Sequence, residues 1–544
     1  MEVADNDFVE LVEKLTNPQT WNDKKIDVYN YEAGAGKSKK VQELLAETPH
    51  KALYVQRFVK DDAMSRTVDK INMLAGEKRA DKFTSEESGK ATKIKKAKNA
   101  QILCITHKMY LQICLGSHQD LLEDRKILII DEHPDVFSKE IFSFSDLGHL
   151  ALLGRFYKHK ELQHLTEHIV GKLEMIHKLN ETEGVKLEFN YTDTEFSSYK
   201  LSLEKLKKQK EITKEDKNAI DRLIHILINP SFIIGRNIIT YNSNFHFTLL
   251  NCNVILDASA AIDYRYEISD LFIVHLQQKV FNYSTSLIKY FDLPTGEIDY
   301  QRQKKHIHQV VFDTLEIKPK DKLLFLSAKR ISKGLKETVE TSNVLRDWER
   351  RVLIENYKID YFGNLIGKND YADCNVAVLT KTPNYSYVDY FLIYSFYTQG
   401  KDNFNKITPF DEKIETMRIS LIACDYYQSM RRIARSSNMS ATYYIYTTNI
   451  DAVNKVMTQL PNIQFLKCEV PKIKFKKTKK ETISDRLINC LKECRQNNIA
   501  SITKQDVCQK IEIDKHQLSR EIKKIKPILE EQNIKVETRC FVLN

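Results

Sequence analysis

Gly34-Ala35-Gly36-Lys37-Ser38 is the first group of residues with a chemistry of its own. Glycines let a backbone curl so that several N–H groups point inward at an anion. In such a turn Lys37 would neutralise the β and γ phosphates of ATP and Ser38 would ligate Mg²⁺. The helix that follows would offer its positive N-terminal end. The full phosphate-loop pattern has a glycine five residues before Gly36, where this chain has Tyr31. A second group is Ile127-Leu128-Ile129-Ile130-Asp131-Glu132-His133. A carboxylate closing a buried strand is costly unless it has a cation or a role. Asp131 would hold Mg²⁺ together with Ser38, and Glu132 would polarise the attacking water as general base. Taken alone, Asp131 also fits a helix N-cap, but that reading leaves the glycine-rich turn upstream unexplained. A third group is Gln428-Ser429-Met430-Arg431-Arg432-Ile433-Ala434-Arg435. Arg432 and Arg435 lie three apart, on one side of a helix. Two guanidinium groups so placed can grip a γ-phosphate and stabilise the charge that develops in transfer. By itself this segment also fits a surface helix with ordinary ion pairs.

These residues need elements to hold them. Lys25–Tyr31 alternates like a strand and runs through the glycine-rich turn into a helical stretch, KKVQELLAE. Strand, turn and helix in that order open a βαβ unit. Ala52–Gln56, Gln101–Thr106 and Lys126–Asp131 read as further strands of a buried parallel sheet. Thr106-His107, just after the third strand, are candidates to face a nucleic acid. From about Ser138 to Asn229 the spacing turns helical with no strand pattern, which predicts a helical insertion. Strands are expected again in FIIGRNIITY, FHFTLL and NVILDAS. A second α/β set follows, with strands expected at VVFDTL, KLLFLSA, KIDYFG, CNVAVLT and ATYYIYTT and a helix at RISKGLKETVE.

The last block has its own logic. From Pro471 to Asn544 there are 18 Lys+Arg against 10 Asp+Glu, so most of the chain's +10 net charge lies there. A local basic field of this kind suits a polyanion, although a solvated lysine-rich tail has the same composition. Pro471–Lys480 reads as a basic linker. Beyond it Leu487, Leu491 and Cys494 share one helix face, and Thr503 with Asp506 and Asp514 with Gln517 form two capping arrangements. Three helices and a terminal strand pair in about 60 residues give the pattern of a winged helix-turn-helix. Lys515, Gln517, Arg520, Lys523 and Lys524 fall along its second helix-turn-helix element, as candidate nucleic-acid contacts. The same module also serves as a protein dock. Cys490, Cys494, Cys508 and Cys540 lack a tight ligand pair and read as ordinary buried thiols.

With 544 residues the chain is long enough for several cores. The acidic, polar start MEVADNDFVE does not read as a secretory signal, so none is expected. No apolar run approaches the roughly 18 to 20 residues that span a bilayer. A cytoplasmic protein with reduced thiols and no membrane partner is expected.

In this order and in two α/β sets, the three groups resemble the superfamily 2 helicases of the DExH or DEAH-like type. Gly34, Gly36, Lys37 and Ser38 match that family's first motif, and Asp131, Glu132 and His133 its second. Ala258-Ser259-Ala260 is similar to the third, Ser-Ala-Thr, with Ala260 in place of Thr. Gln428, Arg432 and Arg435 match the sixth, with Arg431 in place of Gly. Gly367-Lys368-Asn369-Asp370 is a looser candidate for the fifth, and Gln19 a weak one for an adenine-reading glutamine. The resemblance covers roughly residues 25–450. It implies an α/β chain with two RecA-like parallel-sheet domains, a helical insertion and a C-terminal winged-helix domain. The expected boundaries are 1–138 and 233–285 for the first RecA-like domain and 139–232 for the insertion. The second RecA-like domain is expected at 286–470, the linker at 471–480 and the winged helix at 481–544. ATP would sit on the first domain, with Glu132, Gln428, Arg432 and Arg435 catalytic. Two activities remain open: an ATP-dependent DNA helicase or translocase, and an ATP-switched DNA-binding initiator or regulator that separates no strands. DNA is the expected nucleic acid, with RNA the other candidate, and the insertion is a candidate dock for a protein partner.

Overall fold

Ile102–Thr106 and Cys252–Leu256 are buried at every position, as strands covered on both faces must be. The computed structural model describes residues 8–57, 62–84, 91–178, 183–189, 191–330, 356–365, 370–399, 411–434, 440–471, 483–496, 499–511, 513–531 and 534–543. The chain divides into two compact units, Met1–Pro471 and Lys472–Asn544.

In the first unit the strands run β1 (Ile26–Tyr29), β2 (Lys51–Gln56), β3 (Ala80–Phe83), β4 (Ile102–Thr106) and β5 (Arg125–Asp131). Next come β6 (Lys139–Ser143), β7 (Glu183–Lys186), β8 (Phe232–Ile234) and β9 (Asn237–Tyr241). They are followed by β10 (Cys252–Leu256), β11 (Phe272–His275), β12 (Leu287–Phe291), β13 (Leu323–Ser327), β14 (Tyr357–Tyr361), β15 (Val376–Leu379), β16 (Thr442–Tyr446) and β17 (Gln464–Cys468). Seven of them form one parallel sheet in the order β11-β1-β10-β5-β2-β4-β3. Six form a second parallel sheet in the order β14-β13-β15-β16-β12-β17. These are two RecA-like domains.

Register brings the site-bearing ends of the first sheet level. Tyr29 pairs with Leu256 and Leu256 with Asp131, so the turn after β1, the segment after β10 and the end of β5 share one edge. Alternation along these strands sends Val28, Leu53, Leu128 and Ile255 to one core and Tyr29, Tyr54, Ile129 and Val254 to the other.

Several expectations need correction. The insertion is not purely helical. β6, β9, β8 and β7 pair in that order as an antiparallel sheet of its own, packed beneath helices such as Lys160–Lys178 and Lys214–Ile228. FIIGRNIITY is the hairpin β8–β9 of that sheet and not part of the first parallel sheet. Phe245–Leu250 makes no strand, and its Phe245 and Phe247 plug the first core instead. VVFDTL ends the helix Glu297–Thr314, where Val310, Val311 and Phe312 are buried. β3, β11, β12 and β17 were not anticipated. RISKGLKETVE and the basic linker fall, apart from Arg330 and Pro471, outside the described residues.

In the second unit, helices Ile483–Gln496, Lys504–Lys510 and Lys515–Glu531 accompany strands β18 (Ser501–Thr503), β19 (Ile534–Val536) and β20 (Cys540–Leu543). The strands pair antiparallel in the order β18-β20-β19, one strand more than the terminal pair expected. Leu487, Leu491, Leu518, Leu529 and Phe541 form its core, with Cys490, Cys494 and Cys508 buried among them. Among the described residues no group of three His, Cys, Asp or Glu side chains could hold a metal ion, and no helix is long and apolar enough to cross a membrane.

Candidate nucleotide site

β1 ends at Tyr29, and the turn beyond it takes positive φ at Gly34 (89°) and Gly36 (91°). Only glycine enters that region without strain. Tyr31, at the position where the phosphate-loop pattern has glycine, keeps a negative φ and needs no glycine. Its buried ring packs on Phe8 and stacks on Tyr29. Ala35 N–H donates to the Glu32 carbonyl at 3.2 Å, closing the turn. Gly36 then caps the helix Lys37–Glu47, so Lys37 and Ser38 stand in its first turn, with Lys37 buried.

Asp131 stands beside this helix start. Its Oδ2 accepts from Ser38 Oγ at 3.0 Å and from Tyr54 OH at 3.4 Å. Burial raises its pKa above the ordinary carboxylate value, opposed by Lys37 and by the Ser38 bond. A hydroxyl and a carboxylate this close are an oxygen donor pair that suits Mg²⁺. Glu132 follows at φ 68°. Its Oε1 lies 3.5 Å from Arg432 Nη2. Glu132 Oε2 and Arg432 Nε are both buried and have no hydrogen-bond partner among the described residues.

Arg432 comes from the second domain, after the helix Glu412–Met430. Burial lowers its pKa, and the Glu132 charge opposes the shift. Arg431 beside it, which the sequence pattern showed only as a replaced glycine, makes the closer contact with the turn. Its Nη2 donates to the Ala33 carbonyl at 2.7 Å, and its guanidinium lies over the rings of Phe281 and Tyr283 at 5.0 and 5.1 Å. Gln428 reaches the third group, its Nε2 donating to Ser259 Oγ at 3.5 Å. Ser259 in turn donates to Asp257 Oδ1 at 2.6 Å, Tyr266 OH donates to Asp257 Oδ2 at 2.9 Å, and the Tyr266 hydroxyl lies 3.0 Å from His133 Nδ1. One buried polar chain therefore connects His133 of β5's end to Gln428 of the second domain. Ser420 Oγ adds a parallel tie by donating to the Ile262 carbonyl at 2.7 Å.

Thr106 and His107 do not face outward as expected. Thr106 is buried and caps the helix His107–Cys114, its Oγ1 accepting from Met109 N–H at 3.1 Å. His107 Nε2 sits 3.0 Å from the Asp131 carbonyl, and burial lowers its pKa to about 4. A neutral ring donating from Nε2 fits that acceptor, so His107 braces the end of β5 while Thr106 fixes the start of its own helix. Arg435 and Gly367–Asn369 lie outside the described residues, and Gln19 is an exposed residue of the Pro18–Thr20 turn.

In the second unit Lys515, Arg520, Lys523 and Lys524 are exposed on the helix Lys515–Glu531. Gln517 is partly occupied, its Oε1 accepting from Asp514 N–H at 3.3 Å. Lys524 pairs with Glu521 at 3.5 Å.

No protein-family model matches the chain, and no curated protein matches it. Among solved structures, an apo XPD structure aligns with 84% of this chain and 99% of its own at 12% identity and a TM-score of 0.48. Xpd4 of S. tokodaii aligns with 81% and 96% at 12% identity and a TM-score of 0.47. Dbp5 of S. cerevisiae, solved bound to RNA and ADP BeF3, aligns with 82% and 86% at 11% identity and a TM-score of 0.37. At these values the likeness is one of chain course and transfers no chemistry.

Proposed function

We propose that this chain is a nucleic-acid-dependent ATP hydrolase of the helicase type. In this reading closure of two RecA-like domains around ATP drives movement on DNA. The observation that carries the reading is the meeting of residues from two sheets at one turn. Arg431 bonds the Ala33 carbonyl, and Arg432 lies against Glu132. A ligand held from both sides makes closure depend on the ligand.

In this mechanism the N–H groups of the Gly34–Ser38 turn and the Lys37 ammonium hold the β and γ phosphates. Ser38 and Asp131 supply oxygens for Mg²⁺, which when bound neutralises phosphate charge. Glu132 takes the proton of the attacking water through Oε2, which has no hydrogen-bond partner among the described residues. Arg432, and on the sequence pattern Arg435, stabilises the charge that builds on the transferred group. Gln428 links this step to Ser259 and the segment after β10. The second unit, read as a winged helix, grips DNA phosphates through Lys515, Arg520, Lys523 and Lys524, with Gln517 and Arg520 near base edges.

The second reading, an ATP-switched DNA-binding initiator, rests on the same cleft and on the compact basic second unit. ATPase rates measured with no nucleic acid, single-stranded DNA, duplex DNA and RNA, beside a strand-displacement assay, separate them. Stimulated hydrolysis with displacement supports the motor. Stimulation without displacement or translocation supports the switch. Hydrolysis that survives Lys37→Ala would remove the site from both.

A further inference from the structure

Glu32 stands two residues before the first glycine of the turn and serves it twice. Its main-chain carbonyl accepts from Ala35 N–H at 3.2 Å and closes the turn. Its side chain, on a residue only 1% exposed, reaches the stretch between β11 and β12. Oε2 accepts from Val280 N–H at 2.6 Å and Phe281 N–H at 3.0 Å, and Oε1 accepts from Tyr283 OH at 2.8 Å. Bonds to an ionised carboxylate are stronger than those between neutral groups. They fix Val280–Tyr283, a segment in neither helix nor strand, against the turn. With both oxygens engaged by donors, Glu32 could not act as a base or a metal ligand without releasing that segment.

The segment it holds is the seat of Arg431. The Arg431 guanidinium lies over the Phe281 and Tyr283 rings, and its Nη2 donates to the Ala33 carbonyl. A Cβ at Gly34 would lie 3.9 Å from Arg431 Nη2 and 4.0 Å from Phe281 Cζ, so arginine and segment both abut the turn. Tyr283 N–H donates to the Pro461 carbonyl at 3.0 Å and ties the segment to the second domain as well. The contacts close a ring. Glu32 holds Tyr283, Tyr283 carries Arg431, and Arg431 returns to Ala33, the residue bonded to Glu32. Arg432, next in the chain, is the residue that meets Glu132.

We propose that Glu32 is a positioning residue for ATP hydrolysis, acting through the Val280–Tyr283 segment on Arg431 and so on the placement of Arg432. The inference rests on the nucleotide reading given above. Glu32 touches no phosphate in this scheme. It sets the surface on which Arg431 lies, and Arg431 sets how closely the second domain approaches the turn. Placement of this kind acts on the reacting geometry more than on ground-state binding, because a catalytic group displaced by about 1 Å can cost on the order of 10²-fold in rate.

The test uses the full chain and the variants Glu32→Ala, Glu32→Gln, Tyr283→Phe and Arg431→Ala, with the first and third also made in the Arg431→Ala background. ATP turnover, ATP affinity by calorimetry, and amide exchange at Val280 and Phe281 without nucleotide are measured on each. Glu32→Ala should lower kcat about tenfold or more while ATP affinity stays within about threefold, the pattern of a contact that matters in the transition state. Glu32→Gln should stay near the parent, because its amide oxygen can accept from the two N–H groups and its amide nitrogen can donate to the Tyr283 oxygen. In the Arg431→Ala background Glu32→Ala should cost nothing further, since the residue it acts through is gone. Parent-like kcat in Glu32→Ala overturns the assignment. So does an equal loss in Glu32→Gln, or a loss of the same factor with and without Arg431. If Glu32→Ala does not fold, Tyr283→Phe carries the test. It keeps the ring under Arg431 and should lose roughly threefold in kcat, again only where Arg431 is present, and an unchanged kcat overturns the proposal. The amides of Val280 and Phe281 should exchange slowly in the parent and fast in Glu32→Ala, and equal rates would remove the clamp itself. A parent that keeps this protection yet hydrolyses no ATP ends the nucleotide reading and the positioning role with it, an outcome distinct from all the others.

Discussion

Glu132 holds a left-handed backbone, φ 68°, that an acidic residue rarely adopts without a reason. Strain of this kind costs on the order of 1–3 kcal/mol and collects where a side chain must point one way. Here it turns the carboxyl toward Arg432 and leaves Oε2 without a hydrogen-bond partner among the described residues. Glu132→Gln keeps the shape and removes the basicity. It is expected to slow ATP turnover by roughly 10²-fold or more, in line with loss of a general base, while ATP affinity stays near the parent's. Turnover and affinity measured side by side check this. Asp425, on the helix Glu412–Met430, is a second residue-scale case. Burial raises its pKa to about 7, with Arg265 and Arg57 opposing and Asp135 and Asp263 adding to the rise. Below its ordinary pKa of 3.8 the carboxyl is neutral whether the chain is folded or not, so it contributes nothing. Between there and about pH 7 only the unfolded chain ionises it, and stability falls. Above pH 7 the whole penalty stands, up to roughly 4 kcal/mol at about 1.4 per pH unit. Asp425→Asn should therefore leave the denaturant midpoint unchanged near pH 4 and raise it at pH 8. A variant no more stable than the parent at pH 8 would show that the carboxyl finds a partner in solution.

At the scale of elements, the strand-turn-helix around Gly36 and the apolar β5 ending in Asp131 were legible in the sequence. Local chemistry fixes them there: positive φ demands the glycines, and a fully buried parallel strand demands an unbroken apolar run. Elements set by distant partners were harder to see. Val310, Val311 and Phe312 look like a strand because a short apolar run has no period to separate strand from buried helix. β6 and β7 are short, with polar Lys139, Glu140 and Glu183, and gain their hydrogen bonds only from β8 and β9 far along the chain. Arg431 was misjudged for the same reason. A motif shows which residue is replaced, and only the fold shows that the replacement reaches Ala33. Thr106 makes an element-scale test. As an N-cap its loss should cost about 1 kcal/mol, so Thr106→Ala should lower the denaturant midpoint of Met1–Pro471. Stimulation of ATPase by nucleic acid should stay intact. Unchanged stability with weaker nucleic-acid binding would return Thr106 to the surface role first expected of it.

At the scale of the whole molecule, the two compact units differ in charge. Met1–Pro471 carries the candidate site. Lys472–Asn544 has its own core around Leu487, Leu518 and Phe541 and carries most of the basic excess. A unit with a closed core should fold alone, so a fragment spanning 472–544 is expected to melt cooperatively. If it grips duplex DNA as proposed, the affinity should come from counterion release. Each phosphate neutralised contributes a slope of about −0.9 to log K against log salt. Exposed Lys515, Arg520, Lys523 and Lys524 therefore set a slope of about −3.6 if all four engage. The double variant Lys523→Ala, Lys524→Ala should flatten it by about 1.8 while leaving the melt unchanged, because both side chains project from the helix away from its Leu518 and Leu529 face. Fluorescence anisotropy over a range of salt concentrations reads both slopes directly. A steep slope untouched by the double variant would move DNA contact to another face of the unit. A flat slope in the parent fragment would make the unit a protein dock and leave DNA to the parallel-sheet domains alone.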